Sequence, residues 1–527
     1  MMRAHWIALF CAAVPAILPT RSSSAADDGA ATGGFFVLKP AAFAPHIERF
    51  NTMEDENRVN HVPNAQSFDW LAANVPAFEC SDREVEEIYW FRWWSVRKHL
   101  KQTPAGFAFT EFITKPNPIS SALGHHIREL RWLRDRRYLD EYVLYWLRGH
   151  EGGPQPHLHK YSGWLPYALY DRWLVAHDTK FTVSLLDDLV RDYAAWERER
   201  RREDGLFWQY DVWDAMEESI SGSRTQKHVR PTINSYMFGS ARALADITRL
   251  AGKTDQAREY EAKAAELKRK TQAALWDPEA KFFKVRKESG ELAGVREAIG
   301  FIPWYFDLPD AGYEAAWTQL TDPAGFRAPY GLTTAERRHP EFRTHGCCNC
   351  EWDGAVWPYA TSQTLAALAN LLRHYSQPYV SRADYFDAFL TYVRSHRYDG
   401  RPYIGEYHDE VTGQWLKGRQ ERSRYYNHST FADLVITGLV GLCPRADGVV
   451  EVDPLLPAGK WDWFCLDGVP YHGRTLTILW DADGKRYGRG AGLKVLADGK
   501  QIAESPRLER VTGRLPAPSP AAGVAVE

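Results

Sequence analysis

Cysteine is scarce in this chain: seven residues in 527, one of them, Cys11, inside an N-terminal apolar run. The remaining six, Cys80, Cys347, Cys348, Cys350, Cys443 and Cys465, are too few for a disulfide scaffold, although they leave room for one or two bridges. An excess of charge of one sign is also missing. A formal net charge of -3 supplies no basic field, so nucleic acid is not an expected partner. Long apolar runs are confined to 6–18, which is short for a membrane span. Alternating strand-like segments are absent from 81 to 442, which argues against a TIM barrel or a Rossmann sheet. No fixed repeat of roughly 30–45 residues marks a common helical solenoid. What the chain has in quantity is aromatic side chains: 21 Trp, 26 Tyr and 24 Phe.

Arg3 and His5 precede the apolar run, and SSSAADD follows it, with small residues around Ala25 and Ala26. This is the pattern of a signal peptide over 1–26, so an exported protein, periplasmic or secreted, with no membrane contact after cleavage is expected. From 27 to 80 no periodicity is sustained, and an N-terminal extension packed on the main domain is expected. At Ser81 the pattern turns helical. SDREVEEIYWFRWWSVRKHL places Ser81 at an N-cap with Glu84 three residues on, and Val85, Ile88, Phe91 or Trp93, and Val96 recur at helical spacing. Further helices are expected near 119–133, 139–147, 163–176, 182–200, 232–251, 255–275, 296–306, 313–320, 357–375, 382–395 and 429–442. Paired helices in such a long series must close on themselves or run on as a solenoid. The expected fold is therefore mainly α, an (α/α)6 toroid over 81–444. Beyond Pro444 apolar and polar residues alternate between Asp-Gly and His-Gly turns, which predicts a small all-β domain over 445–514. A Pro/Ala tail, 515–527, is expected to be disordered.

WQYDVWDAMEESISG, 208–222, gathers Asp211, Asp214, Glu217 and Glu218 among aromatic residues. Trp and Tyr faces stack on sugar rings, and partial burial among them raises a carboxyl group toward the range a general acid needs. An acidic first turn favoured by a helix dipole carries the same residues. Arg230 and Asn234 in RPTINSYMF suit either substrate hydroxyls or helix capping. In HGCCNCEWDGAVWPYA, Trp352 and Trp357 beside Asp353 form a candidate sugar platform, with Pro358 opening an apolar helix. Cys347, Cys348 and Cys350 beside Glu351 suit zinc, but the second CxxC of the usual structural site is missing; buried thiols or a bridge to Cys80 are the plainer alternatives. In RPYIGEYHDEVTGQWLKG, Glu406 is flanked by Tyr403 and Tyr407. A toroid gathers loops of successive hairpins around one mouth, so carboxyl groups distant in sequence can face each other across a water. His125, in GHHIRELRWLRD, suits a substrate hydroxyl, a lyase base or a core histidine.

VWDAMEES, RPTINSYMFGSARALADI, LWDPEAKFF, EWDGAVWPYATSQTLAALANLL, and GEYHDEVTG followed by FADLVITGLVGL stand in an order and spacing that resembles the six-hairpin glycoside hydrolases. The likeness, from about 204 to 442, is to the group of trehalases, family 63 α-glucosidases and mannosylglycerate hydrolase-like enzymes. It implies an inverting, exo-acting hydrolase with Asp214 as general acid and Glu406 as general base. Trp213, Glu217, Arg230, Asn234, Trp352, Asp353, Trp357, Tyr407 and His125 are the candidate substrate-binding residues. An oligosaccharide or glycoside is the expected partner, no cofactor or metal is implied, and a monomer is expected. Two departures from the group are visible. Val212 stands where the group has Gly, and MEES replaces its Ser-Pro-Arg continuation, so Glu217 or Glu218 is an alternative acid. HGCCNCEW resembles the paired cysteines of zinc-dependent β-L-arabinofuranosidases, which implies, as the alternative, a zinc-dependent retaining enzyme with Cys347 or Cys348 as nucleophile. A lyase using Tyr and His, and a non-catalytic carbohydrate-binding toroid, complete the readings.

Overall fold

The computed structural model describes residues 34–344, 350, 352–417 and 421–516. The expected signal peptide, Cys347, Cys348, Glu351 and the tail from 517 lie outside them. Helix Arg83–Lys98 begins the helical part, and Asp82 rather than Ser81 caps it: its carboxylate accepts from the backbone N–H groups of Glu84 and Val85. A carboxylate at this position also complements the helix dipole. The helix is covered on nearly every side, with Arg92, Trp93 and Trp94 fully buried.

Helices Leu123–Leu130, Arg137–Arg148, Leu165–Ala176, Leu186–Arg200, Pro231–Leu250, Thr254–Leu275, Pro358–His374 and Arg382–Ser395 follow. Pro231 and Pro358 sit in the first turn, where the missing N–H is harmless and the fixed φ suits the helix. The segments expected at 296–306, 313–320 and 429–442 are not single helices. They are Ala298–Phe301 and Glu314–Trp317 in 3-10 form, each running into one α turn, and a turn Phe431–Asp433 running into a π-helix Leu434–Leu439. Packing overrides periodicity there: Trp304 and Trp317 are fully buried, and a side chain at Gly438 would run into the Tyr385 hydroxyl.

The last helical segment returns to the first. It packs on Arg83–Lys98 and Leu123–Leu130. Asp433 accepts from Arg128 Nε, Arg131 Nη2 and Trp132 Nε1, each at 2.8 Å. Glu129 accepts from Arg92 Nε at 2.9 Å and from the Ala432 N–H at 3.0 Å. The hairpins thereby close as the expected (α/α)6 toroid.

The C-terminal part combines a three-stranded sheet, Leu442–Cys443, Val449–Val452 and Val511–Arg514, with an antiparallel sheet of five strands, in the order Ala77–Cys80, Trp463–Tyr471, Arg474–Asp481, Gly492–Ala497 and Lys500–Ser505. His472 and Gly473, both at positive φ, make the tight turn between the second and third strands of the larger sheet. Its first strand comes from the N-terminal extension, with Ala77 opposite Asp467 and Cys80 opposite Phe464. Asp467 also accepts from the N–H groups of Phe36, Val37 and Leu38 at 3.0, 2.6 and 2.8 Å. The extension therefore belongs to the β domain as much as to the toroid. Cys80, Cys350, Cys443 and Cys465 carry free thiols, so the bridge to Cys80 weighed above is not formed. No helix among the described residues is long and apolar enough to cross a membrane.

Candidate active site

The acidic loop grows from a short ladder, Trp208–Gln209 against His228–Val229, and turns through a 3-10 segment, Asp211–Asp214. The Ser162 N–H holds the Trp213 carbonyl at 2.8 Å. Ala215 and Glu218 both lie at positive φ, 56° and 62°. Such backbone is retained only where surroundings enforce it, and it clusters at functional sites. Between them, Glu217 is turned inward, and its Oε2 accepts from Trp352 Nε1 at 3.1 Å. Burial, with the charge of Glu406 adding to it, raises its carboxyl above the usual range.

Glu406 approaches from the loop after strand Arg401–Pro402 and is 4% exposed, not the surface carboxylate a loop glutamate usually is. Lys417 Nζ and Ser423 Oγ reach its Oε2 at 3.3 and 3.4 Å. Arg422 stands 3.9 Å from Oε1, and the Cys350 thiol 4.0 Å from the same atom. Burial, then the charges of Glu217 and Glu406, push that thiol well above its ordinary range. Among the described residues no three His, Cys, Asp or Glu side chains converge as a metal site; Cys347 and Cys348 lie outside them.

Trp352 and Trp357 are at the site but do not lie open as a platform. They stack on each other with ring centres 4.1 Å apart, and Trp357 stacks on Tyr359 at 4.3 Å. The stack leaves them 1% and 3% exposed and directs the Trp352 indole N–H at Glu217. Tyr407 meets Trp352 edge-on at 5.2 Å. Trp213 is nearer the surface, 5.6 Å from Tyr161 with Lys160 over its face. Asp353 is paired with Arg343. His125 lies below the aromatic stack against Tyr359 and Trp164, and burial lowers its pKa so that it stays neutral.

Asp214 lines a small cavity with Trp357 and Tyr359, beside the same aromatic stack. Its side chain has no exposed surface, and its Oδ2 accepts from Arg230 Nε at 2.7 Å and from the Thr232 hydroxyl. Arg230 is thus directed at Asp214. Asn234 is a correction to the candidate set: it accepts from the Phe207 N–H and donates to the Phe207 and Arg230 carbonyls. With both ends of its amide on backbone it ties the loop to the helix. Glu218 faces outward to Arg224.

The sequence reading missed Glu111, Tyr161, Lys417, Arg422, Tyr426 and His428. Hairpin Leu100–Thr103 and Gly106–Phe109 drops Glu111 into the same pocket, where burial, and next the charge of Glu406, raise its pKa to about 8. A lone Glu in FAFTEFITKP gives no signal of this. YYNHS, just before the last helical segment, was the nearest hint of a second aromatic and histidine cluster.

Residues 115–429 match the model of the mannosylglycerate hydrolase MGH1-like glycoside hydrolase domain, and 445–503 that of the glycosyl hydrolase family 65 C-terminal domain. A solved structure named sialidase is 52% identical at a TM-score of 0.90, covering 91% of this chain and 45% of its own. This chain thus spans less than half the length of that protein. The family 78 rhamnosidase of Bacillus sp. GL1 matches at a TM-score of 0.59 and 14% identity, over 80% of this chain and 41% of its own. The family 63 mannosylglycerate hydrolase from Thermus thermophilus in complex with Tris matches at 0.53 and 14%, over 66% and 100%. These last two share the fold.

Proposed function

We propose, from the premise that this chain belongs to the mannosylglycerate hydrolase MGH1-like glycoside hydrolase family, that it is an exported, inverting hydrolase of a chain-end glycosidic bond, with Glu217 as general acid and Glu406 as general base. The observation that carries the assignment is the meeting of these two carboxyl groups in one buried pocket, with environments that differ as their roles require. Glu217 has its pKa raised by burial, which suits a group that must hold a proton. Glu406 is paired with Lys417, which suits a group that works as the anion. Glu217 gives its proton to the glycosidic oxygen, which leaves as the alcohol. Glu406 takes a proton from the water whose oxygen bonds to the anomeric carbon from the opposite face.

Asp214, the acid implied by the resemblance, is less well supported because its Oδ2 is held by Arg230 and Thr232, although its buried Oδ1 has no hydrogen-bond partner among the described residues. The deep burial of Glu406, Trp352 and Tyr407 supports action on a chain end. Export rests on the pattern of residues 1–26. The nucleophile of the alternative reading, Cys347 or Cys348, lies outside the described residues; the neighbouring Cys350 lends it no support, since burial and two nearby carboxyl groups keep that thiol protonated.

The test is a panel of aryl glycosides and oligosaccharides, sialosides included, with the product anomer followed by proton NMR at early times. An inverted first product is expected. A retained product would remove Glu406 as base to a water.

A further inference from the structure

Glu111 is not used by the mechanism above, yet it stands in the same pocket. Its backbone is clamped: the Asn427 N–H donates to its carbonyl at 3.1 Å, and the Asn427 amide donates to the Thr110 carbonyl at 3.1 Å. The next residue, Phe112, lies under the Arg422 guanidinium, whose distance to its ring centre is 4.7 Å. That same Arg422 reaches toward Glu406, so the two glutamates flank one cation. The Ser121 hydroxyl reaches Glu111 Oε2 at 3.5 Å. Glu111 Oε1 faces His428 Nε2 at 3.6 Å, beyond hydrogen-bond length. His428 is 1% exposed, and neither of its ring nitrogens has a hydrogen-bond partner among the described residues. Its ring is fixed by Tyr426 at 4.4 Å, Tyr359 at 5.0 Å and His125 at 5.8 Å.

A buried polar atom without a partner is destabilising unless something fills the place. The Glu111 carboxyl already has the Tyr426 side chain as a hydrogen-bond partner, whereas a hydroxyl group bridging Glu111 Oε1 and His428 Nε2 would give the histidine nitrogen the partner it lacks. We propose that Glu111 and His428 bracket a hydroxyl of the sugar bound between Glu217 and Glu406, with the Glu111 carboxyl as donor; this rests on the reading of the pocket as a glycosidase site. The electrostatics agree. Burial, and then the charge of Glu406, raise the Glu111 pKa to about 8, while Tyr426 and Arg422 oppose the rise. At neutral pH the group is therefore a carboxylic acid with an O–H to give. Burial keeps His428 uncharged, so that it can accept on one nitrogen. A neutral acid beside the two working carboxyl groups adds no third negative charge to the site.

Two variants separate the readings. Glu111→Gln keeps a neutral donor of the same shape, and kcat/KM on the aryl glycoside turned over fastest in the panel is expected to stay within about threefold of wild type. Glu111→Leu removes the donor and is expected to lower kcat/KM about tenfold or more, mainly through KM. Wild-type turnover by a folded Glu111→Leu enzyme would overturn the proposal. So would a Glu111→Gln enzyme as impaired as Glu111→Leu, since the carboxylate rather than a neutral donor would then be required. Independently of activity, the infrared difference spectrum of wild type minus Glu111→Gln at pH 7 should carry the C=O band of a protonated carboxylic acid. Absence of that band would overturn the proposal. Absence of turnover on the whole panel would instead reject the glycosidase reading and leave the band to decide the state of Glu111.

Discussion

Glu217 and Asp214 are three positions apart in one loop, and the difference between them is one of partners. Arg230 and Thr232 hold Asp214, whereas Glu217 is served by the Trp352 indole N–H and its own backbone N–H, with no cation among them. Substitution should therefore act on different quantities. Glu217→Gln and Glu406→Gln are each expected to lower kcat by about 10²–10⁴-fold with the fold intact, as measured by steady-state kinetics beside circular dichroism. Asp214→Asn is expected to lower stability by about 3–5 kcal/mol, because it removes the carboxylate paired directly with buried Arg230 and leaves only the more distant Glu297 and Asp211 near that charge; urea unfolding reads that loss. The pH dependence follows from the direction of the Glu217 shift. The acid must be protonated to act, so kcat/KM falls as pH rises through its pKa, and burial places that limb above the ordinary Glu value of about 4.3. An alkaline limb at the ordinary value would contradict the assignment. The sequence was legible here to the level of the loop. It could name four carboxylates among aromatics, but the choice among them depends on Arg230, sixteen residues away, and on Trp352. Glu111 was silent because a single carboxylate after a short hairpin resembles any surface residue until the ring closes over it.

At the scale of elements, the ring depends on how its last segment meets its first. Asp433 is buried between Arg128 and Arg131. Burial works against its charge, but the two guanidinium groups outweigh it and hold its pKa below the usual carboxylate range. A depressed carboxyl pKa contributes stability that is present above the unfolded value of about 3.9 and is lost as pH falls through the folded value. Asp433→Asn is expected to destabilise by about 3–5 kcal/mol at pH 7. It should also flatten the acid side of a stability-versus-pH curve obtained from urea midpoints; an unchanged acid limb would show that the closure does not rest on this charge. The long helices were legible from their apolar spacing because each presents several turns to a neighbour. The pieces at 298–305, 314–321 and 431–439 were read as ordinary helices because apolar spacing over two turns does not distinguish α from 3-10 or π winding.

At the scale of the whole molecule, the chain is tied together by a sheet that borrows from both sides of the toroid. Asp467 accepts three consecutive N–H groups, from Phe36 to Leu38, and the Thr477 hydroxyl at 2.6 Å. Asp467→Ala would strand these donors, and a loss of about 3 kcal/mol or more is expected, with early proteolytic cleavage within 34–80 while the helical circular dichroism persists. Equal protease resistance would mean that Ala77–Cys80 alone holds the extension. The four-residue strand AFEC has no alternation long enough to announce itself, and its partner lies far along the chain, so the extension read as featureless. That separation has a consequence for synthesis. From Cys80 to Trp463 is 383 residues (463 − 80). At roughly 5–20 residues per second the ribosome needs roughly 20–80 s to bring the partner strand out. Throughout that interval Ala77–Cys80 offers an unpaired edge, and the nascent chain depends on a chaperone, or on speed, to keep that edge from pairing with the wrong neighbour.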